Sequence, residues 1–148
     1  MTRHPSLSTD RQWAADCLEG LRQQYEDEVL QRIGEAGRVP CVAAYVLARP
    51  GFERHADLDL IRQHAATVGW RVAGSSFADV GQPPPLAQRP GFAAACRYAV
   101  QGYAHGILAI ARPAITTDDD TYAQVLEHLH ARSLFLAYLP ALGEAVSP

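Results

Sequence analysis

Arg49, Arg89 and Arg112 are the residues whose placement suggests a shared task. Arg49 follows the apolar run CVAAYVLA, Arg112 follows GILAIA, and Arg89 opens the segment between them. Both runs read as strands, and open α/β sheets gather ligands beyond the carboxyl ends of their strands. Guanidinium groups suit such a place, being planar, permanently charged and able to grip phosphate or carboxylate through paired hydrogen bonds. The expectation is either an anion pocket formed by these three or three surface arginines with unrelated partners. A second set, Tyr45, Ser75, Ser76, Asp79 and Arg89, supplies hydroxyls, a carboxylate and a cation, the parts of a small enzyme site. That reading requires a concave pocket around them.

Other groups carry less chemistry. His128 and His130 flank Leu129, and residues two apart do not share a helix face, so no metal site is expected there. His55, His64 and His105 are scattered. The TTDDD run lacks the spaced oxygens of a calcium loop and reads as the acidic start of a helix. Cys17, Cys41 and Cys96 are far apart, odd in number and without a CxxC, which fits three reduced thiols. Neither a GxGxxG nor a phosphate-binding loop appears, so no cofactor is expected. GQPPPLAQRP lacks a clean proline repeat and reads as a rigid connection.

Positioning those residues falls to one domain. The chain has 148 residues, and an apolar content of 48% is enough for a single real core. All 13 basic residues are arginine, but the net charge of −3 gives no basic signature for nucleic acid. Neither a bilayer span nor an apolar signal core is present, which leads us to expect a cytoplasmic protein without membrane contact.

Residues 1–8 read as a flexible tail. A helix is expected over 9–34, capped by Ser8, Thr9 or Asp10, with Trp13, Cys17, Leu18, Leu21, Tyr25, Val29 and Ile33 as one apolar stripe and Arg22 on its polar side. From Cys41 the pattern alternates. Strands are expected in CVAAYVLA, WRVAGSSF, GILAIA and SLFLAYL. Helices are expected in HADLDLIRQHAATVGW, where Leu58, Ile61, Ala65 and Val68 share a face, in GFAAACRYAVQG, and in TTDDDTYAQVLEHLHAR, capped by Thr116 or Thr117. The β-α-β-α-β-α-β order implies an α/β fold: three layers around a mostly parallel four-stranded sheet, with the N-terminal helix added. A short tail follows over 141–148.

Over residues 41–140 the blocks AYVLARP, GWRV, DVG, QRPGF, YAHGILAIARP and ARSLFLAYLPA come in an order and spacing that resemble the N-terminal catalytic domain of serine recombinases, the resolvase/invertase family. The resemblance implies a resolvase-like sheet. It also implies a chemistry in which a serine attacks a DNA phosphodiester while arginines hold the phosphate. The family's first strand reads Tyr-x-Arg-x-Ser. Here Tyr45 keeps the tyrosine, Leu47 stands for the arginine and Arg49 for the nucleophile. After the third strand the family reads Asp-Arg-x-x-Arg, where this chain has Pro113, Ala114 and Thr117. Arg89 matches a family active-site arginine. No serine lies between Cys41 and Arg71, so a shift of register does not restore the nucleophile.

The expectation is therefore a degenerate member without recombinase activity, serving as a protein-interaction or regulatory module. The alternatives are an anion- or phosphate-binding domain using Arg49, Arg89 and Arg112, or a small enzyme with new chemistry. No helix-turn-helix, zinc-binding cysteine set or basic tail is recognised, so no DNA-binding module is expected, while weak DNA contact stays open. The N-terminal helix, through Trp13, Leu21, Tyr25 and Val29, either folds back onto the domain or pairs with another copy or a different protein. A homo-oligomer or a protein partner follows from the second arrangement.

Overall fold

Eight principal elements follow the chain: α1 (Leu7–Glu35), β1 (Cys41–Ala48), α2 (Arg54–Val68), β2 (Arg71–Val80), α3 (Pro90–Val100), β3 (Gly106–Ala109), α4 (Asp119–Ala131) and β4 (Phe135–Tyr138). The computed structural model describes residues 7–48, 54–80 and 86–140, and all structural statements refer to these. Two short 3-10 turns, Leu86–Gln88 and Arg112–Ala114, lie before α3 and after β3. The expected tail over 141–148 and the first six residues of the expected tail over 1–8 lie outside the described residues.

The four strands form one parallel sheet in the order β2-β1-β3-β4. β1 is central, and its uniform apolar run is explained by burial on both faces: Val42 to Val46 are each no more than 1% exposed. Alternation along β1 divides the core. Ala43 and Tyr45 face α3 and α4, together with Phe92, Ala95, Tyr122, Leu126 and Leu129. Val42, Ala44 and Val46 face α2, through Leu58, Ile61 and Ala65. Val68 is 43% exposed, because the helix ends at that residue and Gly69 turns the chain with a φ of 80°. It does not join the buried face assigned to it from the sequence.

α1 runs along the β4 edge and contributes to both layers. Leu18, Leu21 and Tyr25 pack against the α3–α4 side, and Val29 and Ile33 against the α2 side. Two expectations for this helix are corrected. Trp13 is 71% exposed and Cys17 is exposed, so the buried stripe begins only at Leu18. Arg22 is 6% exposed rather than on the polar side. It donates to Glu19 and Glu26 within the helix and, at 2.7 Å, to the carbonyl of Leu136 on β4. β4 pairs only with β3, so its outer carbonyls need other donors.

The opposite edge is handled differently. β2 is longer than its sequence signal, extending to Val80 into the segment expected as loop. Val42 pairs with Val72 but Ala44 pairs with Ser76, so β2 carries extra residues around Gly74 and the ladder is interrupted there. Such a bulge bends an edge strand and spoils it as a template for further pairing. The cap of α4 also shifts: Asp118, not a threonine, accepts the Thr121 amide at 2.8 Å.

Candidate functional site

Tyr45, Asp79 and Arg89 come together where β1, β2 and the start of α3 meet. Arg89 is the N-cap of α3 but makes no side-chain cap bond, and Pro90 at the first turn has no amide hydrogen to place. The next two amides still need acceptors. Asp79 supplies them from β2: Oδ1 accepts Gly91 N at 2.8 Å and Oδ2 accepts Phe92 N at 2.9 Å. Ala93 N then donates to Arg89 O, and the helix is under way. A carboxylate at a helix N-terminus is also favoured by the helix dipole.

Gly91 is required by this contact. A Cβ there would lie 2.2 Å from the backbone oxygen of Ala78 and 2.9 Å from Asp79 Oδ2. The RPGF block therefore has a mechanical reading. Arginine holds the N-cap position, proline starts the turn, glycine permits the approach of Asp79, and Phe92 packs edge-on to Tyr45 with ring centroids 5.2 Å apart.

Tyr45 is fully buried, and its hydroxyl donates to Asp79 Oδ2 at 2.7 Å. Burial raises the phenol well above its usual range, and the bond to Asp79 adds to this, while a hydrogen bond with Arg89 acts in the opposite direction. Arg89 is 7% exposed and sends Nη1 to the Ala114 carbonyl at 3.1 Å, tying α3 to the turn after β3. The arrangement joins three strands' carboxyl ends through one hydroxyl, one carboxylate and one guanidinium.

The remaining residues expected from the sequence are dispersed. Leu47 pairs with Asp79 in the strand register and packs into the α3–α4 side of the core. Pro113 and Thr117 are exposed, and Ala114 is half-buried, its carbonyl occupied by Arg89. Arg49 lies outside the described residues. Ser75 and Ser76 are exposed in the bulged part of β2, about 10 Å of strand before Asp79. Arg112 is held by Asp119 at 2.7 Å, by the Thr116 carbonyl at 3.2 Å and over the Tyr122 ring at 4.2 Å.

A second polar cluster, not anticipated from the sequence, lies under α1. Tyr122 and Tyr138 share a hydroxyl–hydroxyl bond of 2.7 Å, and Arg22 lies 5.1 Å from the Tyr138 ring. Burial raises both phenols. Burial alone would weaken the charge of Arg22, but its bonds to Glu19 and Glu26 outweigh that and keep the guanidinium charged. The two carboxylates respond oppositely. The Arg22 hydrogen bond lowers Glu19, whereas burial raises Glu26. His130, expected on a solvated helix side, stacks on Tyr25 at 3.7 Å with its Nδ1 buried. Spacing arguments missed the cluster because its members come from α1, α4 and β4, and Arg22 and the Leu136 carbonyl it bonds are 114 residues apart.

Hollows among the described residues open to solvent. One, of about 720 Å³, lies between α3 and α4, and another, of about 790 Å³, lies beside Arg112 and the start of α4. Among the described residues no three His, Cys, Asp or Glu side chains converge as a metal-binding group. Among them, too, no helix is long and apolar enough to cross a membrane.

The fold is similar to that of a solved structure, the N-terminal catalytic domain of TP901-1 integrase, with a TM-score of 0.59 over 70% of this chain and 85% of that one. Its fold is resolvase-like. Identity between the two is 16%, so the likeness concerns the fold. No protein-family model matches the chain, and no curated protein matches it. Within this resolvase-like domain, α1 stands outside the strand–helix alternation, as the sequence pattern implies.

Proposed function

We propose that this resolvase-like domain is a non-catalytic interaction or regulatory module. One observation carries the proposal: the only titrating cluster at the strand ends that matches the resolvase pattern, among the described residues, is used to build the fold. Both oxygens of Asp79 are occupied by amides at the start of α3, Oδ2 also by the Tyr45 hydroxyl, and Arg89 bonds a backbone carbonyl. A recombinase needs a hydroxyl nucleophile at the tip of β1 and arginines around it to stabilise charge on the phosphate. Leu47, Pro113, Ala114 and Thr117 bring no charge to the places where the family pattern has charged residues, and sequence position 49, where it has the serine, is arginine. Ser75 and Ser76 sit away from the cluster on a bulged, exposed strand.

The test is incubation with supercoiled and nicked DNA, followed by denaturing electrophoresis and mass analysis for a phosphoserine–DNA adduct. Neither nicking nor adduct is expected. Serine-linked DNA would overturn the proposal. Under this reading α1 serves the module's contacts, and the protein partner is another copy or a different protein.

A further inference from the structure

The groove between α3 and α4 has an apolar floor and a cationic rim. Phe92 and Cys96 from α3 and Val125 from α4 line it, with Val100 at the end of α3, which is 48% exposed. Every charged residue along it is arginine: Arg97 and Arg132, the latter 3.1 Å from His128 Nδ1, with no carboxylate in the lining. Among the described residues neither arginine has a carboxylate partner. In a chain of net charge −3 this is a local reversal of sign.

The same structure leaves a face of complementary character uncovered. Along α1, Trp13, Cys17, Gly20, Gln24 and Asp27 recur at spacings of four and three and are all exposed. Asp16 is exposed beside them. Among the described residues Trp13 is the most exposed large apolar side chain, at 71%. A Cβ at Gly20 would meet nothing within 4 Å, so another surface can approach the helix backbone there. The stripe lies roughly 80° around the helix from Leu21, which packs into the α3–α4 side of the core.

We propose that the groove between α3 and α4 receives the Trp13–Asp27 face of α1 from a second copy of this chain. The inference rests on the interaction-module reading and names the partner. Trp13 enters the apolar floor beside Phe92 and Val125, and Asp16 and Asp27 meet Arg97 and Arg132. Indole also pairs well with guanidinium. A helix seated between two helices satisfies ridge-and-groove packing, and tryptophan and arginine are the residues that most often dominate such contacts. A two-fold arrangement repeats the contact, each copy giving a helix and offering a groove.

The experiment is sedimentation equilibrium on the full chain. The wild-type protein is expected to form a concentration-dependent dimer. Trp13→Ser removes the anchor and Val100→Glu places a carboxylate at the groove. Both sites are exposed, so circular dichroism should show folded protein in each case. Each variant alone should weaken association at least about tenfold. An equimolar mixture of the two should associate more tightly than either alone, because one intact helix then meets one intact groove. A monomeric wild type, variants that dimerise normally, or a mixture that gains nothing would each overturn the inference. None of these outcomes bears on the DNA-adduct assay, so loss of the dimer and loss of the non-catalytic reading are separately visible.

Discussion

Asp79 receives one hydroxyl and two amide hydrogens, and removing it strands all three in a buried place. Asp79→Ala is expected to lower stability by about 3 kcal/mol. Tyr45→Phe removes one donor to the same carboxylate and should cost about 1.5 kcal/mol. Gly91→Ala forces a methyl group into the Ala78 carbonyl and should cost about 3 kcal/mol. Urea unfolding midpoints check all three. If Asp79→Ala left stability unchanged, the carboxylate would not be the cap described above. Tyr45 and Arg89 were legible in the sequence through the family pattern. Asp79 appeared there in the DVG block and as a candidate catalytic carboxylate, not as a helix cap. Its role was hidden because capping rules look for a side chain next to the helix, and this one reaches across from a strand twelve residues earlier.

At the scale of the element, α1 is held by one buried guanidinium with four hydrogen bonds to three partners. Arg22→Ala leaves Glu26 and the Leu136 carbonyl without their donor and is expected to cost about 3 kcal/mol. Proteolysis should report it locally, with faster cleavage in the Ala36–Pro40 connection than in the rest of the chain. Arg22→Lys should recover only part of the loss, since an ammonium cannot reproduce the forked geometry. Equal cleavage rates in wild type and Arg22→Ala would show that the contact does not hold the helix. The periodicity of α1 was readable, but its depth was not. Spacing marks which residues share a stripe, and it does not mark where along a 29-residue helix the domain beneath stops. Trp13 and Cys17 lie on a face turned away from the one that Leu18, Leu21 and Tyr25 bury, and Arg22 interrupts the apolar stripe from within the core.

For the molecule as a whole, the alternation of strand and helix was enough to give a parallel sheet in three layers, because crossover geometry leaves few other arrangements. The bulge in β2 was not legible, since Gly74-Ser75-Ser76 reads equally well as a strand end. Alkaline pH probes the assembled core. Tyr45, Tyr122 and Tyr138 are all raised above the ordinary phenol value of about 10, chiefly by burial. A group whose folded value is raised contributes stability that is fully present below its unfolded value and is lost as pH rises through the folded one. Stability should therefore be flat toward neutral pH from these groups and fall above about pH 10. Absorbance at 295 nm should show part of the phenol population ionising only as the circular dichroism is lost. Complete ionisation with the fold intact would contradict the burial described for these three side chains.

The docking of α1 on β4 and α4 also orders events during synthesis. Of the described helices α1 leaves the ribosome before the others, yet the Leu136 carbonyl and the Tyr122–Tyr138 pair that receive it are among the last described parts to emerge. Until then its apolar stripe has no permanent cover, and Leu18, Leu21, Tyr25 and Val29 remain open to chaperones or to neighbouring nascent chains. Among the described helices, the one made earliest is thus the one that closes the fold.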